Sequence, residues 1–443
     1  MIIITLLTRT PPARRRAGCG TMGADQGEAP NRMTDQPAAA RPATARAATT
    51  TITAAEIRRS QQRWRDERDY LNQHRHQLTR ALDHLHPADW RVAGTPLLAR
   101  PQWRPARPVP LADVALDWRP DERGTVVDPV QPAGSDQVRP LRDDGTRFAS
   151  YAEALATLSP PRLLENRTCY RLLDADATGA VPQLRFGVNR YFDLINVSEA
   201  VAHEAAGQVL ARPGSDLSLP LDLAGLPLRA AIGDPLDLPR RSVTTGVGTL
   251  ILRRDRDAGA AQMFLHWRDP ARVAVNGGLY QVAPAGMFQP SHEAGWNLVN
   301  DLGLWRAIAR EVSEELLGTS EDYGSDRAPI NYGRWPFFAA LTAARQAGTL
   351  HGYWLGVGVD PLTLDVDLLT VLVFNAPFFD AEFGGLVEAN DEGYLLQGHD
   401  PTDVGLEFTA ESVERFTRTE AMQPAGAAVL ALAWQHRGVL LGT

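Results

Sequence analysis

The chain has 443 residues, a formal net charge of −8 and two cysteines, Cys19 and Cys169. This length allows two or three domains at about 150 residues each. The acidic balance gives no global support for nucleic-acid binding, and the sparse cysteines argue against a disulfide framework and suit a reducing cytosol. All 45 residues counted as Lys or Arg are arginines, which excludes a Walker-type P-loop and a Schiff-base lysine. We therefore expect a cytoplasmic globular protein.

The N-terminal region, residues 1–52, is a low-complexity stretch with little that a core could bury, and we predict that it is disordered. Ordered structure is predicted to begin at Thr53, because Thr53 and Glu56 have the spacing of a capping box. Apolar residues then recur at heptad spacing in a charged helix that ends before Pro87, namely Ile57, Trp64, Leu71, Leu78 and Leu85. The other half of each heptad is mostly polar, which favours a single helix packed on its own domain over a coiled-coil dimer.

Residues 53–212 are expected to form an α+β unit that contains this long helix. After a Pro- and Arg-rich extended stretch, the patterns predict a short helix over 151–158, strands over 163–174 and 183–192, and a helix over 196–210. His203 and Glu204 in the last helix are interpreted as surface residues, because no H-E-x-x-H motif surrounds them. Residues 213–241 contain several prolines and are predicted to be a linker.

The C-terminal part, 242–443, alternates strands and helices and is predicted to be an α/β domain. Strands are predicted over 244–253, 261–268, 278–282, 353–359 and 368–374, and helices over 301–318, 335–347 and 425–434. A turn that contains Gly286 is expected to precede the helix at 301–318. A further hairpin is predicted about residues 390–393, and its Glu388 and Glu392 are interpreted as a solvated turn in preference to extra metal ligands.

The predicted helix over 301–318 places apolar and acidic residues on different faces. Residues at steps of three and four form an apolar stripe that should face a core: Trp305, Ile308, Val312 and Leu316. Glu311, Glu314 and Glu315 lie about one turn apart on another stripe, so their carboxylates project together. One interpretation is a solvated acidic surface. The other is a site for Mg²⁺ or Mn²⁺, because hard divalent cations prefer oxygen ligands.

The six residues from Arg310 to Glu315 read R-E-V-S-E-E. This segment resembles the R-E-U-x-E-E core of the box that marks Nudix hydrolases, where U is a bulky aliphatic residue. The resemblance implies a Nudix-like α/β/α sandwich with a mixed sheet over 242–443. It further implies that Glu311, Glu314 and Glu315 hold Mg²⁺ against a diphosphate, and that Arg310 braces these carboxylates or contacts phosphate.

The sequence departs from the family pattern on both sides of this core. Leu302 and Trp296 occupy the positions where the family has Glu and Gly, and Gly318 lies one place later than the family's glycine. Gly286 and Glu293 would supply the missing residue types if the intervening loop carries an insertion.

The leading hypothesis from this resemblance is a Mg²⁺-dependent Nudix-like hydrolase that cleaves a nucleoside diphosphate linked to another moiety. The alternative is a Nudix-like domain that has lost hydrolysis and senses a nucleotide-type ligand, for example as a transcriptional regulator. A nucleotide-type small molecule is thus the expected partner. DNA has weak support, because residues 53–87 show no helix-turn-helix pattern, and a homodimer stays open. No membrane association is expected, because no apolar stretch approaches transmembrane length without charges.

Overall fold

The structure is a computed structural model that describes residues 52–161, 164–242, 244–269, 277–320, 323–384, 393–396 and 405–442. Residues 1–51, for which we predict disorder, and the predicted hairpin residues Glu388 and Glu392 lie outside these ranges. The described residues belong to one compact unit. Within them, no helix combines the length and the apolar character that a membrane span requires.

The described residues form α-helices and β-strands with the following bounds. The α-helices are α1 (Ala54–Ala81), α2 (Tyr151–Leu158), α3 (Tyr191–Leu194), α4 (Ala200–Leu210), α5 (Pro227–Ile232), α6 (Asn297–Asn300), α7 (Leu304–Leu317), α8 (Pro336–Gln346), α9 (Ala376–Phe383), α10 (Ala410–Glu414), α11 (Pro424–Gln435) and α12 (Arg437–Leu441). The strands are β1 (Val109–Pro110), β2 (Ala115–Trp118), β3 (Thr168–Asp176), β4 (Gln183–Arg190), β5 (Thr245–Asp255), β6 (Ala260–Met263), β7 (Leu265–Arg268), β8 (Tyr280–Val282), β9 (Ala285–Met287), β10 (Leu350–Val359), β11 (Val366–Asn375), β12 (Gly393–Leu395) and β13 (Leu406–Glu407). The predicted α/β class is confirmed.

The largest sheet has the strand order β1-β10-β11-β5-β6-β13, and β9 also pairs with β5. β11 and β5 are parallel, whereas β10 pairs with β11, and β6 and β9 pair with β5, in the antiparallel sense. The two central strands are nearly continuous apolar runs, as expected for a parallel pair covered on both faces. Helices α9 and α11 pack on these two strands. A mixed sheet with helical cover is compatible with the Nudix-like sandwich, which stays a prediction.

The structure corrects the predicted turn at Gly286. The chain bends at Ala283 and Pro284, and the next residues immediately form β9, in which Gly286 pairs with Val247 of β5. The backbone N–H and C=O groups at the start of β5 need hydrogen-bond partners, and β9 provides them. The local sequence pattern does not show this pairing, because β5 is distant in the sequence.

The start of helix α1 is confirmed. The Thr53 side chain accepts a hydrogen bond from the Glu56 N–H, and the Glu56 carboxylate accepts one from the Thr53 N–H. The heptad positions Ile57, Trp64, Leu71 and Leu78 are buried, and the helix packs on α4 of the same chain. This is the arrangement that the packed-helix interpretation predicts.

The region predicted as a linker contributes to the core. Leu221, Leu226, Leu228 and Ile232 are all fully buried, and the last two lie in α5. The boundary between two units at 213–241 stays a prediction, while the burial of these side chains shows that this stretch packs closely against its neighbours.

Candidate functional site

Helix α7 carries the predicted carboxylates and is fixed in rotation by its apolar stripe. Ile308, Val312 and Leu316 are fully buried, and the helix ends at Gly318, whose left-handed φ of 63° allows its N–H to reach the Glu314 carbonyl. Trp305, which the pattern also assigns to the core stripe, is half-buried. Because the buried stripe determines which way the helix faces, it also determines where the glutamates point.

Strand β9 contacts two of the three predicted carboxylates. Glu315 is buried, and its Oε1 accepts a hydrogen bond from the Ala285 N–H at 2.8 Å. The Glu311 carboxylate lies against Gly286, where an added Cβ would stand 2.0 Å from Oε2 and 2.5 Å from Oε1. Any side chain at position 286 would therefore displace the carboxylate. Because Gly286 has no side chain, there is room for the Glu311 carboxylate. Glu311 and Glu315 therefore both lie against β9.

The third carboxylate, that of Glu314, has a different neighbour. The Tyr323 hydroxyl donates a 2.6 Å hydrogen bond to Glu314 Oε1. Burial and the charge of Glu314 raise the pKa of Tyr323, so the phenol stays a neutral donor. Among the residues that the structure describes, no group of three or more His, Cys, Asp or Glu side chains is arranged to hold a metal ion. The structure therefore brings Glu311 and Glu315 against β9, while Glu314 accepts the hydrogen bond of Tyr323.

Arg310 is almost completely buried beside this site. Its Nη2 donates a 2.7 Å hydrogen bond to the Gln289 carbonyl, just beyond β9. Burial acts to lower its pKa, but the negative charges around it, Asp301 and Glu311 among them, raise the pKa of the guanidinium above its usual range. Through this hydrogen bond, Arg310 connects α7 to the chain just after β9. Arg310 acts on the neighbouring carboxylates through its charge.

Asp301 is a buried polar residue of the site, and the sequence analysis did not identify it as a site residue. Its carboxylate accepts hydrogen bonds from the Ser291 N–H at 2.8 Å and the Tyr332 hydroxyl at 2.9 Å, and its side chain is inaccessible to solvent. This fixed negative charge helps to keep Arg310 charged. An aspartate just before a helix usually indicates a cap, so the sequence offered no sign of this long-range role.

The two upstream residues that would complete the Nudix pattern lie in different parts of the structure. Glu293 accepts hydrogen bonds from the Thr168 hydroxyl at 2.8 Å and from Arg190 at 2.7 Å, so it connects its loop to β3 and does not join α7. Trp296 is 47% exposed. Of the two residues proposed to fill the pattern, Gly286 belongs to the site and Glu293 does not.

The interpretation of His203 and Glu204 as surface residues is wrong. His203 is fully buried and lies 3.0 Å from both the Glu67 carboxylate and the Tyr151 hydroxyl. Glu204 is buried and accepts the backbone N–H groups of Leu228 and the next residue at the start of α5. Burial raises the pKa of Glu204 to about 7. The pattern failed here because α4 is covered by α1 on one side and α5 on another.

A buried ionic cluster also escaped the sequence analysis. Glu199, in the turn before α4, forms ion pairs with Arg68 and Arg75 of α1, and all three side chains are at most 3% exposed. Burial opposes the charge on Glu199, but the two guanidinium groups lower its pKa to about 2. These contacts hold α1 on the unit and involve none of the α7 glutamates.

A comparison of the chain with models of known protein families finds no match, and a comparison with curated proteins finds none either.

Proposed function

We propose that this protein is a Nudix-like hydrolase that cleaves a nucleoside diphosphate linked to another moiety, with a divalent cation at the carboxylates of α7. The observation that supports the proposal is the contact of Glu311 and Glu315 with β9. Gly286 of this strand leaves space for the Glu311 carboxylate, which any other residue at position 286 would displace. Two acidic side chains held side by side at i and i+4 repel each other. A cation between them would remove that repulsion.

The donor set fits a hard cation, because Mg²⁺ and Mn²⁺ prefer carboxylate oxygens. Glu311 and Glu315 would hold the ion, with Glu314 as the third ligand predicted by the family resemblance. When bound, such an ion neutralises charge on a diphosphate and lowers the pKa of a water molecule.

The protein's own contribution to this chemistry is orientation. The hydrogen bond of Ala285 to Glu315 and that of Arg310 to the Gln289 carbonyl fix the helix against β9 at two points. Arg310 would brace the neighbouring carboxylates or contact phosphate, as the family resemblance implies.

The test is Mg²⁺-dependent hydrolysis of ADP-ribose, dinucleoside polyphosphates and nucleotide sugars by the wild type and by Glu315→Gln. We expect turnover by the wild type and its loss in the variant, with little change in melting temperature. Glu411→Gln is the matched control, because Glu411 is an exposed glutamate in the first turn of α10. Undiminished turnover in a folded Glu315→Gln would contradict the proposed role of this residue.

A second candidate function is a nucleotide sensor that no longer hydrolyses its ligand. The observation that favours it is the hydrogen bond from Tyr323 to Glu314, which occupies one carboxylate oxygen of a predicted metal ligand. A sensor would show thermal stabilisation by one of the compounds in the same panel without turnover of any of them.

A further inference from the structure

A pocket of about 600 Å³ lies at the three-stranded sheet that β2, β4 and β3 form. Residues of β3 and β4 line it together with three other segments, 100–103, 122–124 and 236–239. The described residues that line it include none of the α7 glutamates, so the pocket is separate from the proposed cation site. Its volume lies within the range of small-molecule sites in proteins, about 300–1,000 Å³.

Backbone hydrogen bonds fix the segments around this pocket. The Arg119 N–H donates to the Phe186 carbonyl at 2.7 Å and so holds the chain after β2 on β4. The Ala177 N–H donates to the Gln102 carbonyl at 2.7 Å and so holds the segment 100–103 beside the end of β3. A site whose walls are already in place loses little conformational freedom when a ligand binds.

Part of the pocket lining is apolar. Leu173, Leu236 and Leu238, which we call the leucine wall, are each at most 6% exposed, and Trp103 beside them is 2% exposed. Protein interiors are normally packed with few voids larger than a water molecule. Core packing therefore does not account for a space of this size next to large apolar side chains, whereas the apolar body of a ligand would fill it.

Arg171 of β3 is a buried cation at the same pocket. Its side chain is 1% exposed, and its guanidinium donates to the carbonyl oxygens of Arg123, Gly124 and Pro239 at 3.0 to 3.3 Å. Within the part of the chain that the structure describes, no carboxylate forms an ion pair with Arg171, and its buried Nε has no hydrogen-bond partner. Burial lowers the pKa of Arg171, and more distant carboxylates oppose this only in part. A buried charge of this kind favours a counter-charge nearby.

Arg185 of β4 brings a second guanidinium to the pocket. Its Nε pairs with Asp117 at 3.2 Å, while Nη1 and Nη2 donate no hydrogen bond to any described residue. Water and salt screen exposed charges more strongly than buried ones. The buried charge of Arg171 therefore acts on a bound ligand more strongly than the acidic residues of the lining, which are all exposed: Glu122, Asp174 and Asp237.

We propose that this pocket binds a small organic monocarboxylate. The carboxylate of the ligand accepts hydrogen bonds from the terminal nitrogens of Arg185 and is stabilised by the buried charge of Arg171. The apolar body of the ligand contacts the leucine wall. The ligand carries a single negative charge, because the exposed acidic residues of the lining repel a more highly charged anion. This binding does not rest on the proposed hydrolysis.

The test is a saturation-transfer NMR titration of the full chain with two pairs of matched probes. Hexanoate and phenylacetate carry a carboxylate, and hexylamine and phenethylamine carry an ammonium group on the same apolar bodies. We expect the wild type to bind the two carboxylates and neither amine. Arg185→Gln should weaken carboxylate binding at least about fivefold, because it removes a charged hydrogen-bond donor. Arg185→Lys keeps the charge and should weaken binding less.

The matched control is Arg119→Gln. Arg119 also pairs with Asp117, at 2.9 Å, but it is not among the described residues that line the pocket. Its replacement should leave carboxylate binding at the wild-type affinity. Arg171 is left unchanged in this experiment, because its hydrogen bonds hold two walls of the pocket and its replacement would disturb the pocket itself.

The proposal is overturned if neither carboxylate binds the wild type, or if the amines bind as tightly as the carboxylates. Wild-type affinity in a folded Arg185→Gln, or an equal loss of affinity in Arg119→Gln, would also overturn it. None of these measurements depends on turnover. Failure of the proposed hydrolysis would therefore leave the carboxylate site standing, and failure of the carboxylate site would leave the hydrolysis standing.

Discussion

The buried ionic cluster on α1 predicts a large loss of stability when its single carboxylate is removed. Glu199→Gln keeps the size of the side chain but removes the carboxylate that pairs with the buried guanidinium groups of Arg68 and Arg75. Neither arginine can move into solvent easily, because their side chains are 3% and 1% exposed. We therefore expect Glu199→Gln to lower the free energy of unfolding by most of the amount that breaking a buried ion pair costs.

Two arguments give the same magnitude. Breaking a buried ion pair by removal of one partner destabilises proteins by about 3–5 kcal/mol. Independently, the shift of the Glu199 pKa from 4.5 to about 2 corresponds to about 3 kcal/mol of preference for the ionised form in the folded state. Because the folded pKa is the lower one, this stabilisation is complete above pH 4.5 and disappears as the pH falls through 2.

The assay is urea unfolding of the wild type and Glu199→Gln at pH 7 and at pH 3.5. At pH 7 the variant should be less stable by about 3–5 kcal/mol, and the difference should shrink at the lower pH. Glu414→Gln is the control, because Glu414 pairs with Arg418 at 3.8 Å on the surface and should change stability little. A Glu199→Gln variant as stable as the wild type at pH 7 would refute this reasoning.

Two further predictions concern a glycine and a histidine. Gly286→Ala should lower Mg²⁺-dependent turnover and change the melting temperature little, because its Cβ would stand 2.0 Å from Oε2 at the flexible end of the Glu311 side chain and would push this carboxylate aside. Gly295→Ala, where a Cβ meets no atom within 4 Å, is the control, and equal kinetics for the two variants would contradict the prediction. Burial lowers the pKa of His203, so the contribution of His203 to stability is complete above about pH 6.5 and disappears as the pH falls through its lowered folded pKa. Between pH 7 and 5, thermal unfolding should therefore show His203→Gln gaining stability relative to the wild type, and parallel stability profiles of the two proteins would argue against the prediction.

Features that depend on neighbouring residues could be predicted from the sequence. The capping box at Thr53 and Glu56, helix α2, and the end of α7 at Gly318 all rest on interactions within a few positions of the chain. The apolar stripe of α7 is equally local, and three of its four residues, Ile308, Val312 and Leu316, are buried as predicted.

Features that depend on distant partners could not. Arg68 and Arg75 occupy heptad positions that look polar and solvated, and they are buried only because Glu199 reaches them from 131 and 124 positions away. Gly286 was expected in a turn because its pairing with β5 has no local signal. The division of the α7 glutamates between β9 and Tyr323 likewise follows from tertiary contacts, which the spacing of the residues does not encode.

The central claim is that Glu311 and Glu315 hold a divalent cation, and direct measurement of Mn²⁺ binding by electron paramagnetic resonance tests it without any assumption about the substrate. The account predicts that the wild type and Glu411→Gln bind Mn²⁺ with the same affinity, and that the double variant Glu311→Gln, Glu315→Gln binds at least about tenfold more weakly. A wild type that does not bind Mn²⁺, or a folded double variant with unchanged affinity, would contradict it.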